Sequence, residues 1–450
     1  MTVTDRSTAT KPPTVVLDTT IADLYRQGGA AYKDKRIGQV LSGFSALVPL
    51  SDKISCNRKY IYQDSPFTSN SCEPRTKSED TTTAIKYLSL INQRDEFICG
   101  NAPVVFFHMD TSSRKRDHDR KQVMKTLATL VNHQRPQPIF CEGPDSIPTK
   151  ESQIDLLAVK VIGDDLENGL GDFVIPDECA GARGTWLKEQ SLRLYEALKS
   201  QLLPFVLKNQ ATFGGAGTFI VKTEQERQNI IDDDMRNGFL NRLLSAVNAR
   251  NSHLEPATML LSDLVQDPIG DYGVTFFVNE KGSKPTFLGV SKQMIEGGTA
   301  WVGSIIDYQQ QTKLHHKFEA LMDRISDWLQ SYGYIGPAGA DILEDAKGFH
   351  VVDLNVRTTG SCCLPLLQTH FTSRGLHLAS AFSINVQQGR NEFLDMFRTE
   401  IYEGRMCIMS WYEDPETRSS LAEFVIGGEN DKSLKELMGR VSENSKSVTF

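Results

Sequence analysis

Two neighbouring apolar segments, separated by a short turn, carry polar side chains whose oxygens could bind a metal ion. Asp341 lies in the first segment, and Asp353 and Asn355 lie in the second, at 351–355. Because side chains alternate between the two faces of a strand, Asp353 and Asn355 share one face. The turn at 344–348 lets the segments pair as a hairpin. Two carboxylates and a carboxamide are hard oxygen ligands, so the pattern predicts a magnesium site, with a polar surface hairpin as the alternative.

A second candidate site follows a predicted strand at 203–208, which ends in Lys208. The loop at 212–218 is rich in small residues and leads into a further apolar segment; its centre is Gly214, Gly215, Ala216 and Gly217. Small residues let backbone N–H groups approach phosphate oxygens closely, and a lysine beside them could neutralise a phosphate. The loop lacks the Walker and dinucleotide-binding patterns. A phosphate-binding loop is therefore one interpretation, and an ordinary hairpin turn is the other.

Composition limits the class of protein. The 450 residues are 39% hydrophobic and 24% charged, which is ordinary for a globular protein of two or three domains. The net charge of -8 and the pI of about 5.7 argue against a general nucleic-acid-binding surface. The 8 cysteines form no C-x-x-C pair, so a zinc site is not expected and a reducing compartment is favoured. No apolar run is long enough to span a membrane, and the expected location is the cytoplasm.

Hydrophobic periodicity predicts an alternation of strands and helices. Strands are expected at 103–107, 138–141, 173–176, 203–208, 219–221, 259–265, 273–278, 286–290 and 406–411, and helices at 119–133, 151–162, 186–200 and 318–329. The capping box Thr223 to Glu226 predicts a further helix start. The polar stretch at 51–80 predicts a long irregular insertion.

In this order along the chain, the pieces resemble the ATP-grasp superfamily, whose ATP lies between two α+β subdomains. The resemblance covers about residues 150–365 and rests on the order of the motifs, with Gln266 standing where glutamate is common. It implies lysines on the phosphates, a hinge on the adenine and an acidic residue on the ribose. The implied nucleotide-binding residues are Lys160, Lys208, Gly214, Gly215, Ala216, Gly217, Gln266, Asp267 and Asp271.

The superfamily's metal motif is an acidic residue, then twelve residues later an acidic residue followed by x-Asn-x-Arg. Asp341, Asp353, Asn355 and Arg357 reproduce this spacing, with aspartate in place of the commoner glutamate. The resemblance implies that the first three bind Mg²⁺, or Mn²⁺ as the alternative. Arg357 would contact the substrate carboxylate and the transferred phosphate, for which its planar guanidinium is suited.

Two further elements are expected near the phosphates. Lys292 and Gln293 end a predicted strand, and of the two Lys292 is the candidate catalytic residue; a solvated lysine is the alternative. The segment 294–311 is a candidate second cover over the site, together with the glycine-rich loop.

The implied fold is α/β and α+β, with an N-terminal parallel α/β pre-ATP-grasp domain followed by a two-subdomain ATP-grasp fold. The expected divisions are a disordered tail at 1–14, the α/β domain at 15–148, subdomain 1 at 149–262, subdomain 2 at 263–370, and a C-terminal segment at 371–450 that completes the active-site domain.

The implied activity is that of an ADP-forming carboxylate-amine ligase, which uses ATP to activate a small-molecule carboxylate as an acyl phosphate. The expected partners are a small carboxylate and an amine, with amino acids among the candidates, and a second copy in a homodimer; neither nucleic acid nor a membrane is expected. Two alternatives stay open, a nucleotide-binding regulatory protein without catalysis and a carboxylate-thiol ligase.

Overall fold

The computed structural model describes residues 12–41, 86, 90, 92–108, 112–142, 146–160, 196–209, 214–215, 217–231, 259–416 and 419–444. Within these ranges the strands form three sheets: a four-stranded, a three-stranded and an eight-stranded one. The strand predicted at 173–176, the insertion at 51–80 and most of the helix predicted at 186–200 lie outside the described residues; residues 196–200 are helical as expected.

The N-terminal sheet has the order β3-β2-β1-β4, and every neighbouring pair is parallel. Its strands are β1 Ile37–Leu41, β2 Pro103–Phe107, β3 Gln137–Cys141 and β4 Leu156–Lys160. The sheet is accompanied by α1 Ile21–Gly28 and α2 Ser113–Leu127. The strands predicted at 103–107 and 138–141 are confirmed, and the helix predicted between them begins and ends six residues earlier.

The helix predicted at 151–162 is wrong. Residues 151–153 form a turn, and Leu156–Lys160 is the edge strand β4, paired with β1 from Ile37 to Leu41. A short apolar run of this kind fits a buried strand as well as a helix, and periodicity alone does not separate the two. The N-terminal sheet therefore includes residues beyond 148, although the division of the chain into domains stays a prediction.

The three-stranded sheet is antiparallel, with the order β6-β5-β7. It consists of β5 Phe205–Asn209, β6 Thr218–Val221 and β7 Met259–Asp263, and α3 Glu224–Ile231 follows β6. The predicted capping box is present, because the Glu226 N–H donates to Thr223 Oγ1 at 3.2 Å and Glu226 Oε2 accepts from the Thr223 N–H at 2.9 Å.

The eight-stranded antiparallel sheet has the order β12-β11-β8-β9-β10-β13-β15-β14. Its strands are β8 Gly270–Val278, β9 Thr286–Glu296, β10 Ala300–Asp307, β11 Gly336–Asp345, β12 Gly348–Asn355, β13 Leu378–Val386, β14 Met406–Glu413 and β15 Ser420–Gly428. The helices around it are α4 Gln311–Ser331, α5 Cys363–Leu366, α6 Gln368–Thr372, α7 Arg390–Met396, α8 Arg398–Tyr402 and α9 Asp431–Ser442. The strand predicted at 406–411 is confirmed as an edge strand. No described helix has both the length and the apolar composition that a membrane crossing requires.

One face of this sheet is covered by α4, as the predicted helix at 318–329 requires. Phe318 and Met322 on α4 pack in one buried cluster with Val274, Phe276 and Ala340 of the central strands. Since side chains alternate along a strand, this packing leaves the residues between them, Asp341 included, on the opposite face. The core thus fixes which side of the sheet can carry a polar site.

A buried polar cluster joins the N-terminal region to the last strands of the large sheet. Arg94, in a helical segment at 92–97, places Nε 2.9 Å from Asp95 Oδ1 and Nη1 3.7 Å from Glu423 Oε1. Thr358 Oγ1 donates to Asp95 Oδ2 at 2.8 Å. Burial acts to lower the pKa of Arg94, but the two carboxylates outweigh it and raise that pKa. We call these residues the Arg94 cluster.

Candidate functional site

The predicted hairpin of β11 and β12 places its polar residues side by side. Asp341 and Asp353 are direct partners across the two strands, and Gly339 is the partner of Asn355. Asn355 Nδ2 lies 3.4 Å from Asp353 Oδ2, so these two side chains share one face as predicted. Partners of this kind have Cβ atoms about 5 Å apart, close enough for two carboxylates to bind one cation. The two-residue connection between the strands is shorter than the predicted turn.

Lys208 on β5 brings the small sheet to this hairpin. Its Nζ lies 2.7 Å from Asp353 Oδ1, and its side chain is only 21% exposed. Register pairs Lys208 with Thr218, which is the last residue of the loop at 212–218 and the first of β6. The cation that sequence reasoning assigned to phosphate therefore lies between the loop and the predicted metal ligands.

Asp341 is held in an environment that disfavours its charge. Burial raises its pKa to about 7, with Asp353 adding to the rise and Lys208 opposing it. Oδ1 of Asp341 accepts a hydrogen bond from Gln293 Nε2 at 2.8 Å. A divalent cation would remove the repulsion between the carboxylates, so Asp341, Asp353 and Asn355 suit Mg²⁺ in both ligand type and charge.

Arg357 follows β12 by two residues, close to the same carboxylates. Its guanidinium Nη1 donates to the Thr358 carbonyl at 2.9 Å. Burial lowers the pKa of Arg357, and Asp353 and Asp341 act in the opposite direction. The predicted substrate arginine thus lies beside the predicted metal ligands.

The glycine-rich loop contacts the hairpin formed by β9 and β10. Gly214, Gly215 and Gly217 have φ angles of +65°, +78° and +71°, which favour glycine. The Trp301 N–H donates to the Gly214 carbonyl at 3.0 Å, and a Cβ on Gly215 would lie 1.8 Å from the Thr299 carbonyl oxygen. The loop and the segment predicted as a second cover therefore touch each other. Ala216 lies outside the described residues.

The roles of Lys160 and Lys292 stay predictions. Lys160 ends the strand β4 of the N-terminal sheet, where the sequence predicted a helix at 151–162, and its contact with phosphate is not tested by this placement. Lys292 is exposed, and alternation along β9 places it on the face opposite Gln293. Its catalytic role is also only a prediction. Gln293 is the residue of the pair that reaches a candidate ligand.

The predicted adenine and ribose residues lie where the two antiparallel sheets are joined. Gln266 and Asp267 are exposed in the connection at 264–269, and Asp267 has a φ of +48°. Asp271 follows on β8, on the face that carries Asp341; burial raises its pKa and Lys292 opposes the rise. These positions fit a hinge, while their contacts with a nucleotide stay predictions.

Sequence reasoning missed Trp301 entirely. Its indole Nε1 donates to Gln293 Oε1 at 2.5 Å and lies 3.2 Å from Ser304 Oγ. No motif marks this residue, because its position depends on an irregularity in the pairing of β9 with β10. The surrounding glycines, at 297, 298 and 303, were the available local signal of an irregular hairpin.

Comparison with known families identifies the domain that holds this site. Residues 188–361 match the ATP-grasp domain family. The chain contains an ATP-grasp domain. The matched range begins after Lys160 and includes Lys208, the glycine-rich loop and the β11–β12 hairpin with the predicted metal ligands. No relative was found among curated protein sequences.

Solved structures with remote similarity accompany the ATP-grasp match. N5-carboxyaminoimidazole synthetase from Staphylococcus aureus is 11% identical, with 92% of this chain and 98% of that chain covered and a TM-score of 0.44. Biotin carboxylase from Campylobacter jejuni is 12% identical, with 93% of each chain covered and a TM-score of 0.45. Phosphoribosylamine–glycine ligase from Thermotoga maritima is 12% identical, with 69% of this chain and 91% of that chain covered and a TM-score of 0.40. Overlaps this remote do not assign a reaction.

Proposed function

We propose that the protein is an ATP-dependent ligase that activates a small-molecule carboxylate as an acyl phosphate and joins it to an amine, releasing ADP and phosphate. The observation that carries this proposal is that Lys208, Asp341, Asp353 and Arg357 lie close together. A phosphate-binding cation, two metal-binding carboxylates and a substrate-binding guanidinium are the set that phosphoryl transfer to a carboxylate needs.

Asp341, Asp353 and Asn355 would hold Mg²⁺, with Mn²⁺ as the alternative. When bound, the ion neutralises phosphate charge and orients the phosphates for transfer. Lys208 would turn from Asp353 to the nucleotide phosphates when that carboxylate serves as a metal ligand. Lys208 Nζ lies 2.7 Å from Asp353 Oδ1, so the proposed phosphate contact and the proposed metal ligand are neighbours.

The chain's own groups would orient the reactants and exclude water. Backbone N–H groups of the glycine-rich loop can approach phosphate oxygens, because positive φ and the absence of a Cβ leave them accessible. Arg357 would pair with the substrate carboxylate. It would then stabilise the negative charge that develops in the transition state as a carboxylate oxygen attacks the γ-phosphorus of ATP. The contact of the loop with the β9–β10 hairpin would shield the acyl phosphate from hydrolysis.

The acyl phosphate carbon is electrophilic because phosphate is a good leaving group, so an amine can attack it and form the amide.

Amino acids are the proposed class for the acid or the amine. The proposed assembly is a homodimer. The proposed location is the cytoplasm. It agrees with the absence of a disulfide among the described cysteines, which are Cys99, Cys141, Cys362, Cys363 and Cys407.

The test is release of phosphate from ATP in the presence of Mg²⁺ and a pool of amino acids and other small acids. Hydroxylamine should divert the acyl phosphate to a hydroxamate, which is detectable by mass and by iron complexation. ATP binding without turnover on a broad panel of acids would favour the regulatory alternative. Turnover only in the presence of a thiol would favour the carboxylate-thiol ligase.

A further inference from the structure

Trp301 links three parts of the ATP-grasp domain that are distant in sequence. Its backbone N–H donates to Gly214 of the glycine-rich loop at 3.0 Å. Its ring lies against Gly360, where an added Cβ would come within 2.5 Å of the indole. Its Nε1 donates to Gln293 Oε1 at 2.5 Å. The side chain and the backbone N–H of Trp301 therefore contact the glycine-rich loop, the segment after Arg357 and strand β9.

Gln293 continues the connection from Trp301 to Asp341. The carboxamide oxygen accepts from Trp301 Nε1 and from Ser304 Oγ, the latter at 3.0 Å. Two donors on Oε1 fix the orientation of the amide, so that Nε2 must point away from them. Nε2 donates to Asp341 Oδ1 at 2.8 Å. Indole, amide and carboxylate thus form a directional chain of hydrogen bonds that ends on a candidate metal ligand.

Local irregularities in the fold make room for this chain. The pairing of β10 with β9 shifts between Trp301 and Gly303, so that Trp301 and Ser304 can face Gln293 together. Gly273 lies between Asp341 and Ser291 in the register, and a Cβ there would be 2.5 Å from Gln293 Nε2. A side chain at either glycine, 273 or 360, would displace a member of the chain.

We infer that Trp301 and Gln293 are positioning residues that couple the docked glycine-rich loop to the orientation of Asp341. Hydrogen bonds to a metal-ligating carboxylate fix its rotamer and tune its affinity for the ion. Trp301 places the loop and the carboxylate in one hydrogen-bonded unit, so binding of nucleotide under the loop and binding of Mg²⁺ at Asp341 favour each other. This inference rests on the proposed function.

The first experiment measures ADP affinity calorimetrically with and without saturating Mg²⁺, for wild-type protein and for Trp301→Phe. Phenylalanine keeps an aromatic side chain and the backbone bond to Gly214 but has no indole donor. We expect ADP affinity without Mg²⁺ to change less than about twofold, while the enhancement by Mg²⁺ falls about tenfold, the size expected from one hydrogen bond to a charged network. Trp328→Phe is the matched control, since Trp328 is 47% exposed on α4 and its described ring contact is with Tyr332.

The second variant is Gln293→Leu, in which a side chain of similar size replaces the amide. It tests the same inference if Trp301→Phe does not fold. It should lose the same enhancement, and the double variant should lose no more than either single one, because the residues act in one chain. The indole emission of wild-type protein should change when ADP and Mg²⁺ are added together, and this change should be absent in Trp301→Phe.

The outcomes separate the inference from the proposed function. If wild-type protein binds ADP and turns over, but Trp301→Phe and Gln293→Leu keep the full Mg²⁺ enhancement, the inference is overturned and the ligase proposal stands. If wild-type protein binds no ADP under any condition, the proposed function fails and the inference fails with it.

Discussion

Two groups of charged side chains lie on either side of the Arg357–Thr358 peptide, and they are built differently. In the Arg94 cluster, Asp95 has a guanidinium at 2.9 Å and a hydroxyl at 2.8 Å, so a cation of the protein supports the carboxylate directly. At the candidate metal site, Asp341 is held by the neutral amide of Gln293, and its pKa is raised to about 7 by burial and then by Asp353. In the first arrangement a guanidinium of the protein lies beside both carboxylates. The second would be completed by the proposed Mg²⁺, and we expect this difference to separate a structural network from a functional one.

The largest expected effect is on turnover, at the metal side of this comparison. Asp353→Asn keeps the shape of the side chain but removes a charged ligand, and phosphate release should fall about a thousandfold. The thermal midpoint should change little, because Asp353 is partly exposed. Asp395→Asn is the control, since that side chain is 74% exposed and should leave both quantities unchanged. If Asp353→Asn turns over at the wild-type rate, the candidate metal site is not needed for activity, and its contrast with the Arg94 cluster is lost.

The next effect is on stability, at the structural side. Arg94→Met leaves Asp95 and Glu423 buried without their guanidinium, and the free energy of unfolding should fall by about 3 kcal/mol or more. Urea unfolding followed by circular dichroism measures the change. Arg398→Met, at an exposed pair with Asp395, should cost less than about 0.5 kcal/mol. If the two variants lose equal free energy of unfolding, the burial of the Arg94 cluster makes no contribution to stability.

Thr358 lies between the two groups and should affect both. Thr358→Val removes the hydrogen bond to the Asp95 carboxylate, and the expected loss of stability is about 2 kcal/mol. Because Arg357 Nη1 is bonded to the Thr358 carbonyl, the KM for the acid substrate should rise more than kcat falls. Thr372→Val is the comparison variant, since the described hydrogen bond of its hydroxyl is to the exposed Gln368 carbonyl of its own helix. A kcat effect without a KM effect would contradict a role in placing Arg357.

The smallest effect on stability is expected at Lys208, although it contacts Asp353 at 2.7 Å. Partly exposed ion pairs contribute about 1 kcal/mol or less, so Lys208→Met should unfold almost as wild type does. Affinity for ATP should nevertheless fall about tenfold, since one charge-assisted contact to phosphate is lost. Lys435→Met, at the exposed pair with Asp431, controls for loss of a surface lysine. A large loss of stability with unchanged ATP affinity would assign Lys208 to the structural group.

The local parts of the site could be predicted from the sequence, and the parts built by distant contacts could not. The hairpin of Asp341 and Asp353 follows from two apolar strands and a turn, and period 2 places Asn355 on the correct face. The order of Lys208 and the glycine-rich loop was also readable. Trp301 was not, because a shift in strand register decides which way its ring points.

The Arg94 cluster gave no local signal either, since Asp95 and Thr358 are 263 residues apart in the sequence. The same holds for the assignment of residues 156–160. Their apolar run, Leu-Leu-Ala-Val-Lys, fits either a helix or a buried strand, and only the pairing with Ile37–Leu41 decides between them.

That pairing also has a consequence for synthesis of the protein. β4 is the last strand of its sheet to leave the ribosome, so the parallel sheet lacks one edge until residue 160 has emerged. Until then β1 carries an unpaired edge, with backbone groups open to pairing with other chains. A fragment that ends at 148 would keep β1, which is buried between two strands in the full sheet, as an exposed edge permanently. Expression of the N-terminal part should therefore give more soluble protein from residues 1–160 than from residues 1–148.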